Sequence, residues 1–108
     1  MNSDNGIHVG KSPFFDGNNY DYWKTRMSAH LKAMSRKLWR IVSDGYVILD
    51  STKMSPLDEE NEILNDQGVN VLFSAIDVTK FNRVKSLTHA NDIWKMHIKC
   101  EGGQVIFA

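Results

Sequence analysis

The residues best suited to chemistry lie near the carboxyl terminus, where His97 and Cys100 are three positions apart, about one helical turn. An imidazole and a thiolate at this spacing could share a zinc ion, but a closed zinc site takes four ligands. Only His89 and Glu101 could complete the set nearby. We interpret these residues as a core histidine and an inert thiol, and we predict no metal site.

Two other patterns could suggest catalysis or ligand binding. Residues 58–60 are consecutive carboxylates, but they follow a predicted helix start at Ser55, and acidic residues stabilise the positive end of a helix. Residues 6–12 resemble a phosphate-binding loop, but that motif needs four residues between its glycines and a helix after it. Here three residues separate the glycines, and Pro13 follows. With no Ser–His–acid or Cys–His–acid spacing either, we predict no enzyme, no cofactor and no small-molecule substrate.

A group of cations could instead contact nucleic-acid phosphates. The chain as a whole has 13 Lys+Arg and 13 Asp+Glu, so its zero formal charge gives no general attraction to a polyanion. A cationic helix face is usually only solvated, which is the alternative interpretation. The candidate contacts are Lys24, Arg26, Lys32, Arg36, Lys37 and Arg40.

Length and composition limit the class of protein. A chain of 108 residues forms at most one domain, and a single cysteine excludes an internal disulfide. No apolar run approaches the roughly 20 residues of a membrane span. Residues 1–12 lack the basic start and apolar centre of a signal peptide. We predict a cytoplasmic protein without membrane contact, with the nucleus left as an alternative compartment.

The elements that would position these side chains are helices. Apolar residues recur every three or four positions from Tyr20 to Met34, which predicts a first helix with the Asn19 side chain as its N-cap. Gly17 suits the preceding turn, because glycine tolerates a positive φ. A short second helix is predicted at 37–43, and Gly45 suits a left-handed C-cap.

The second half of the chain predicts three more helices after an extended segment at 46–49. Ser55 is the expected N-cap of the third, whose apolar stripe runs from Leu57 to Ala75. Gly68 interrupts that stripe, either as a weak point or as a place of close helix contact. The predicted caps of the fourth and fifth helices are Asp77 or Thr79, and Thr88. The fifth would cover 89–98.

The fold class predicted is therefore an all-α bundle of about four to five helices. Residues 13–100 would form this domain, between a flexible arm at 1–12 and a tail at 101–108. Trp23, Trp39 and Trp94 could be base-stacking platforms, but each lies on an apolar helical stripe and is expected in the core. The chain ends on apolar residues with no later sequence to cover them. The candidate self-association residues are Ile98, Val105, Ile106 and Phe107.

An ordered set of residues over positions 13–102 resembles a known family. It opens with Phe-x-Gly-x-Asn-Tyr-x-x-Trp at 15–23 and ends with Glu-Gly at 101–102. This order is similar to the start of the Gag polypeptide of copia-type LTR retrotransposons, especially those of plants. The motif and core residues are Phe15, Gly17, Asn19, Tyr20, Trp23, Met27, Leu31, Trp39, Asp66, Leu72, Ala75, Ile76, Phe81, Val84, Ala90, Ile93 and Trp94.

The resemblance implies the N-terminal half of a Gag-like capsid domain, whose copies assemble around the element's RNA. The family continues into further capsid helices and often a zinc knuckle, whereas this sequence ends at Ala108, six residues after Gly102, and has one cysteine. His89 stands where the family usually has a threonine cap. We expect a structural fragment that binds itself or other Gag-like chains, with RNA as a weaker partner. The alternatives are a nucleic-acid-binding module on the first two helices and a non-functional truncated remnant.

Overall fold

The computed structural model describes residues 11–96, which form a small all-α bundle, as predicted. The predicted tail and nearly all of the predicted arm lie outside the described residues. The five helices of this part of the chain are α1 (Tyr20–Met34), α2 (Arg36–Asp44), α3 (Pro56–Ser74), α4 (Val78–Val84) and α5 (Ala90–Met96). The helix α2 packs against three others, α1, α3 and α5, and α3 also contacts α5.

The turn before α1 forms differently from the prediction. Gly17 has the expected positive φ, at 102°, and the Asp16 carboxylate accepts a hydrogen bond from the backbone N–H of Asn18. Asn19 takes a left-handed conformation, and its side chain caps nothing. Its backbone carbonyl accepts from the N–H of Trp23 at 2.9 Å. The predicted side-chain cap was therefore wrong, because the chain enters the helix through a left-handed asparagine, a conformation this residue tolerates.

A single residue separates α1 from α2. Ser35 is extended, with φ −171° and ψ 130°, and its hydroxyl accepts from the N–H of Leu38 at 3.1 Å. The junction is therefore a capped break, and α2 starts one residue before the predicted 37–43. Gly45 ends it with a positive φ of 82°, although its ψ of −174° is extended rather than that of a left-handed helix.

The third helix begins at its predicted N-cap, Ser55, and Asp58 completes a capping box. The Ser55 hydroxyl accepts from the N–H of Asp58 at 3.0 Å, and the Asp58 carboxylate accepts from the N–H of Ser55 at 3.1 Å. Asp77 caps α4 by accepting from the N–H of Lys80, whereas Thr79 lies inside that helix. Thr88 is not the N-cap of α5. The helix begins at Ala90, and its first backbone hydrogen bonds, from the N–H groups of Asp92 and Ile93, go to the carbonyl of His89.

Replacing Ser55 by alanine should lower the free energy of unfolding by about 1 kcal/mol, because α3 would lose its N-cap acceptor. Urea denaturation followed by circular dichroism would measure the change. Ser51→Ala is the matched control, since Ser51 is an exposed residue in the loop before the cap. Equal stability of the two variants would contradict a stabilising role for the capping box.

The core lies where α1, α2, α3 and α5 meet. Phe15 joins it from the N-terminal segment, whose backbone pairs with Ile76 in an isolated parallel bridge. Two expected stripe residues, Met34 and Leu57, are exposed because they lie at helix ends, with Leu57 63% exposed. The segment 46–49 forms no strand, and Leu49 is 94% exposed, so this segment packs only in part.

Candidate interaction surface

Phe15, Trp23, Trp39 and Trp94 form a connected aromatic cluster, with Trp39 half-buried at its edge. The ring centroids of Phe15 and Trp23 are 5.3 Å apart, and those of Trp23 and Trp94 are 5.9 Å apart. Trp39 meets Trp94 edge to face at 5.7 Å. The Trp23 indole also donates a hydrogen bond to the Pro13 carbonyl. These rings are committed to packing, so they offer little free surface for stacking on a ligand.

The remaining motif residues are divided between the core and its edge. Tyr20, Trp39 and Phe81 are only half-buried, and Phe81 packs edge to face on Phe73 at 5.0 Å. Gly17 and Asn19 form the turn described above, and Asp66 is exposed. The buried members are Phe15, Trp23, Met27, Leu31, Leu72, Ala75, Ile76, Val84, Ala90, Ile93 and Trp94.

The three cations predicted on α1 do not share one surface. The Lys24 ammonium lies 4.5 Å from the Trp94 ring centroid and 2.9 Å from the Tyr20 hydroxyl. Lys32 lies over Trp39. Arg26 is two residues from Lys24 and hence nearly on the opposite side of the helix, where it donates to a tyrosine hydroxyl. The α1 cations therefore mainly cover aromatic rings of the same chain.

The other three cations lie on the exposed side of α2. Lys37 pairs with Glu60 of α3 at 3.2 Å, and both side chains are exposed, so the pair contributes little to stability. Arg36 and Arg40 have no hydrogen-bond or ion-pair partner among residues 11–96. The predicted patch of six cations is thus divided, and its available part is the outer face of α2.

Two asparagines that the sequence analysis did not select hold the helix ends together. Asn65 of α3 is 5% exposed; its amide nitrogen donates to the Thr88 carbonyl, and its oxygen accepts from the Ala90 N–H, both at 2.8 Å. Asn91 donates to the carbonyls of Val42 and Ser43 at the end of α2. The signal in the sequence was an asparagine inside a helical stripe, where it is otherwise unfavourable.

Lys80 is a second residue that the sequence did not reveal as important. It is 7% exposed, and its ammonium lies 3.3 Å from the Asp77 carboxylate and 5.1 Å from the Phe15 ring centroid. The backbone hydrogen bond from Lys80 is the main cause of the lowered pKa of Asp77. Lys80 thereby joins α4 to the N-terminal segment, a structural role.

His30 lies on the edge of α1, where its Nε2 atom is 3.2 Å from the Ser12 hydroxyl. Burial lowers its pKa below the ordinary value of 6.5, because desolvation disfavours the imidazolium. The neutral ring is therefore the form that the folded chain favours.

As the pH is lowered, the free energy of unfolding should decrease more steeply in the wild type than in a His30→Gln variant. A lowered folded-state pKa gives stability that is complete above the unfolded value of 6.5 and is lost as pH falls through the folded pKa. Urea titrations between pH of about 7.5 and about 5.5 would measure it. If the free energy of unfolding changes with pH in the same way in both proteins, His30 does not have a lowered pKa in the folded chain.

Several large apolar side chains lie on the surface instead of in the core. An exposed apolar group is ordinary when single, but groups of them mark interaction sites. The ring centroids of Tyr46 and His89 are 5.5 Å apart with the rings tilted by 39°. The pKa of Tyr46 is raised by burial and then by the carboxylates of Glu62 and Asp66. The exposed large apolar residues are Phe14, Tyr22, Met34, Val47, Leu49, Leu57, Ile63 and Val78.

Several predicted sites fall outside the described residues. These are the candidate metal ligands His97, Cys100 and Glu101, and the candidate self-association residues Ile98, Val105, Ile106 and Phe107. Within residues 11–96, no group of three or more His, Cys, Asp or Glu side chains could hold a metal ion. No helix in this part of the chain is long and apolar enough to cross a membrane.

The geometry defines a helical bundle with an aromatic core and an exposed surface of mixed apolar and charged groups. Comparisons with protein-family models, with curated proteins and with solved structures found no match.

Proposed function

We propose that this chain is a non-enzymatic structural protein of the cytoplasm that acts by binding copies of itself or other Gag-like chains. The observation that carries this proposal is the set of large apolar side chains that are exposed outside the buried core of residues 11–96. The side chains of Leu57 and Ile63 are 63% and 58% exposed on one helix, α3, where water contact is unfavourable. The resemblance to a retrotransposon capsid region agrees with this assignment.

Light scattering after size exclusion would test self-association over a range of protein concentrations. The expected result is an average mass that rises with concentration above that of the 12.4 kDa chain. A strictly monomeric protein that also ignores a longer Gag-like chain would overturn the proposal. A Leu57→Ser/Ile63→Ser variant should associate more weakly, whereas Ser51→Ala, in an exposed loop position, should match the wild type.

A second candidate function, RNA binding, is favoured by the guanidinium groups of Arg36 and Arg40, which have no hydrogen-bond or ion-pair partner within residues 11–96. Contacts of this kind act through phosphates and weaken steeply with salt. Retention of a single-stranded RNA at low salt, lost in an Arg36→Gln/Arg40→Gln variant, would support it. Since the α1 cations mostly cover rings of their own chain, we place this function second.

A further inference from the structure

The outer face of α2 carries two like charges that have no partner in the part of the chain that the structure describes. Arg36 and Arg40 are four residues apart, so their side chains lie on the same face of the helix. Both are exposed, and neither pairs with an acidic residue in the described chain. Like charges at this spacing repel each other and destabilise a helix. An external anionic partner would relieve this repulsion.

A matching pair of the opposite charge lies on α3. Glu62 and Asp66 are also four residues apart and exposed, and neither forms a hydrogen bond or an ion pair within residues 11–96. Both lie close enough to Tyr46 to raise the pKa of its hydroxyl. They occupy a flank of α3 distinct from Glu60, which pairs with Lys37 of α2.

The two pairs have the same spacing along their helices. Four residues at 1.5 Å per residue separate each pair by roughly 6 Å, so two arginines can meet two carboxylates at the same time. Arginine binds a carboxylate through parallel N–H donors, which gives such contacts geometric specificity. Within residues 11–96 neither arginine pairs with either carboxylate, and the ion pair that joins α2 to α3 is the one between Lys37 and Glu60.

We propose that Arg36 and Arg40 on α2 of one copy bind Glu62 and Asp66 on α3 of a second copy. This inference rests on the proposed self-association and names its surface. The two faces differ, so the contact is heterologous: the first copy keeps its carboxylate pair free, and the second copy keeps its arginine pair free. Contacts of this type form rings or open chains of subunits rather than closed pairs.

Apolar groups lie beside both charged pairs, as a protein interface requires. Next to the arginines, Leu57 and Ile41 line a surface cleft of about 330 Å³ between α2 and α3, together with Arg40. Next to the carboxylates, Ile63 is exposed. Charged contacts at the rim would orient two copies and raise their rate of association, while the apolar groups would supply the burial.

Charge reversal in the full chain tests this pairing directly. The first variant is Arg36→Glu/Arg40→Glu, and the second is Glu62→Arg/Asp66→Arg. Each alone should associate at least about tenfold more weakly than the wild type, because both of its faces then carry the same charge. An equimolar mixture of the two should recover association, because every face again finds a partner of opposite charge. The control for the arginine variant is Lys11→Glu/Lys53→Glu, which makes the same change in net charge at two exposed positions outside both charged pairs.

The outcomes separate this inference from the function on which it rests. Recovery in the mixture, with sedimentation velocity as the readout, supports the pairing. If the wild type associates and neither variant weakens it, the interface is wrong while the proposed function stands. If the wild type is monomeric at every concentration, both fail. If the arginine variant loses binding to a single-stranded RNA oligonucleotide but still associates, the α2 face is an RNA surface and the pairing is overturned.

Discussion

Replacing Asn65 by leucine should lower the free energy of unfolding by roughly 2–4 kcal/mol. Leucine has a similar volume, so the change removes hydrogen bonds more than it removes packing. The Thr88 carbonyl and the Ala90 N–H would both lose their partner at 2.8 Å, in a place where Asn65 itself is buried. Each unsatisfied buried group costs about 1–3 kcal/mol. Urea denaturation monitored at the helical circular-dichroism band would measure the effect.

Asn70→Leu is the matched control, because Asn70 lies on the same helix with an exposed side chain. Its substitution should change the free energy of unfolding by no more than about 0.5 kcal/mol. If the two leucine variants unfold at the same urea concentration, the Asn65 amide does not hold α5 in place. If the helical signal lost in the urea transition is larger than the seven residues of α5 can contribute, the bundle unfolds as one unit.

The helices were predictable because their signals are local. The apolar spacing from Tyr20 to Met34 and the serine–proline start of α3 both depend on residues within a few positions of one another. The capped break at Ser35 was harder to predict, since a serine can either continue or cap a helix. The exposure of residues at helix ends was not predictable. Leu57 continues the apolar stripe of α3, but it lies at the start of the helix, beyond the neighbouring side chains that would cover it.

The contacts that hold the helices together were not predictable, since they join residues far apart in sequence. Asn65 and Ala90 are 25 positions apart, and Asn91 and Val42 are 49 apart. Contacts between residues far apart in sequence also explain why the six predicted cations do not form one patch. Their closeness in sequence predicted a patch, but the bend between α1 and α2 and the positions of Trp39 and Trp94 decide which cations remain available.

The second large effect should come from Gly68, which lies on α3 where it faces both α2 and α5. A Cβ atom added here would lie 2.9 Å from the Cβ of Ala90 and 3.0 Å from the Cγ2 of Val42. Of the two interpretations left open by the sequence, close helix contact is confirmed. Gly68→Val should lower the free energy of unfolding by about 3 kcal/mol, because overpacking of this size costs about 1–3 kcal/mol and valine adds two further methyl groups. Gln67→Val, at the exposed neighbouring position, should cost less than about 1 kcal/mol.

A double-mutant cycle distinguishes crowding from any general effect on the helix. Gly68→Ala alone should gain up to about 1 kcal/mol in helix propensity, so a net loss of stability would have to come from contact with α5 and α2. Ala90→Gly removes the methyl group that lies closest to the new Cβ. If that contact causes the loss, the double variant should be more stable than the sum of the two single changes predicts, by about 0.5 kcal/mol or more. Additive changes would contradict direct crowding between residues 68 and 90, and would leave Val42 as the group that limits the space.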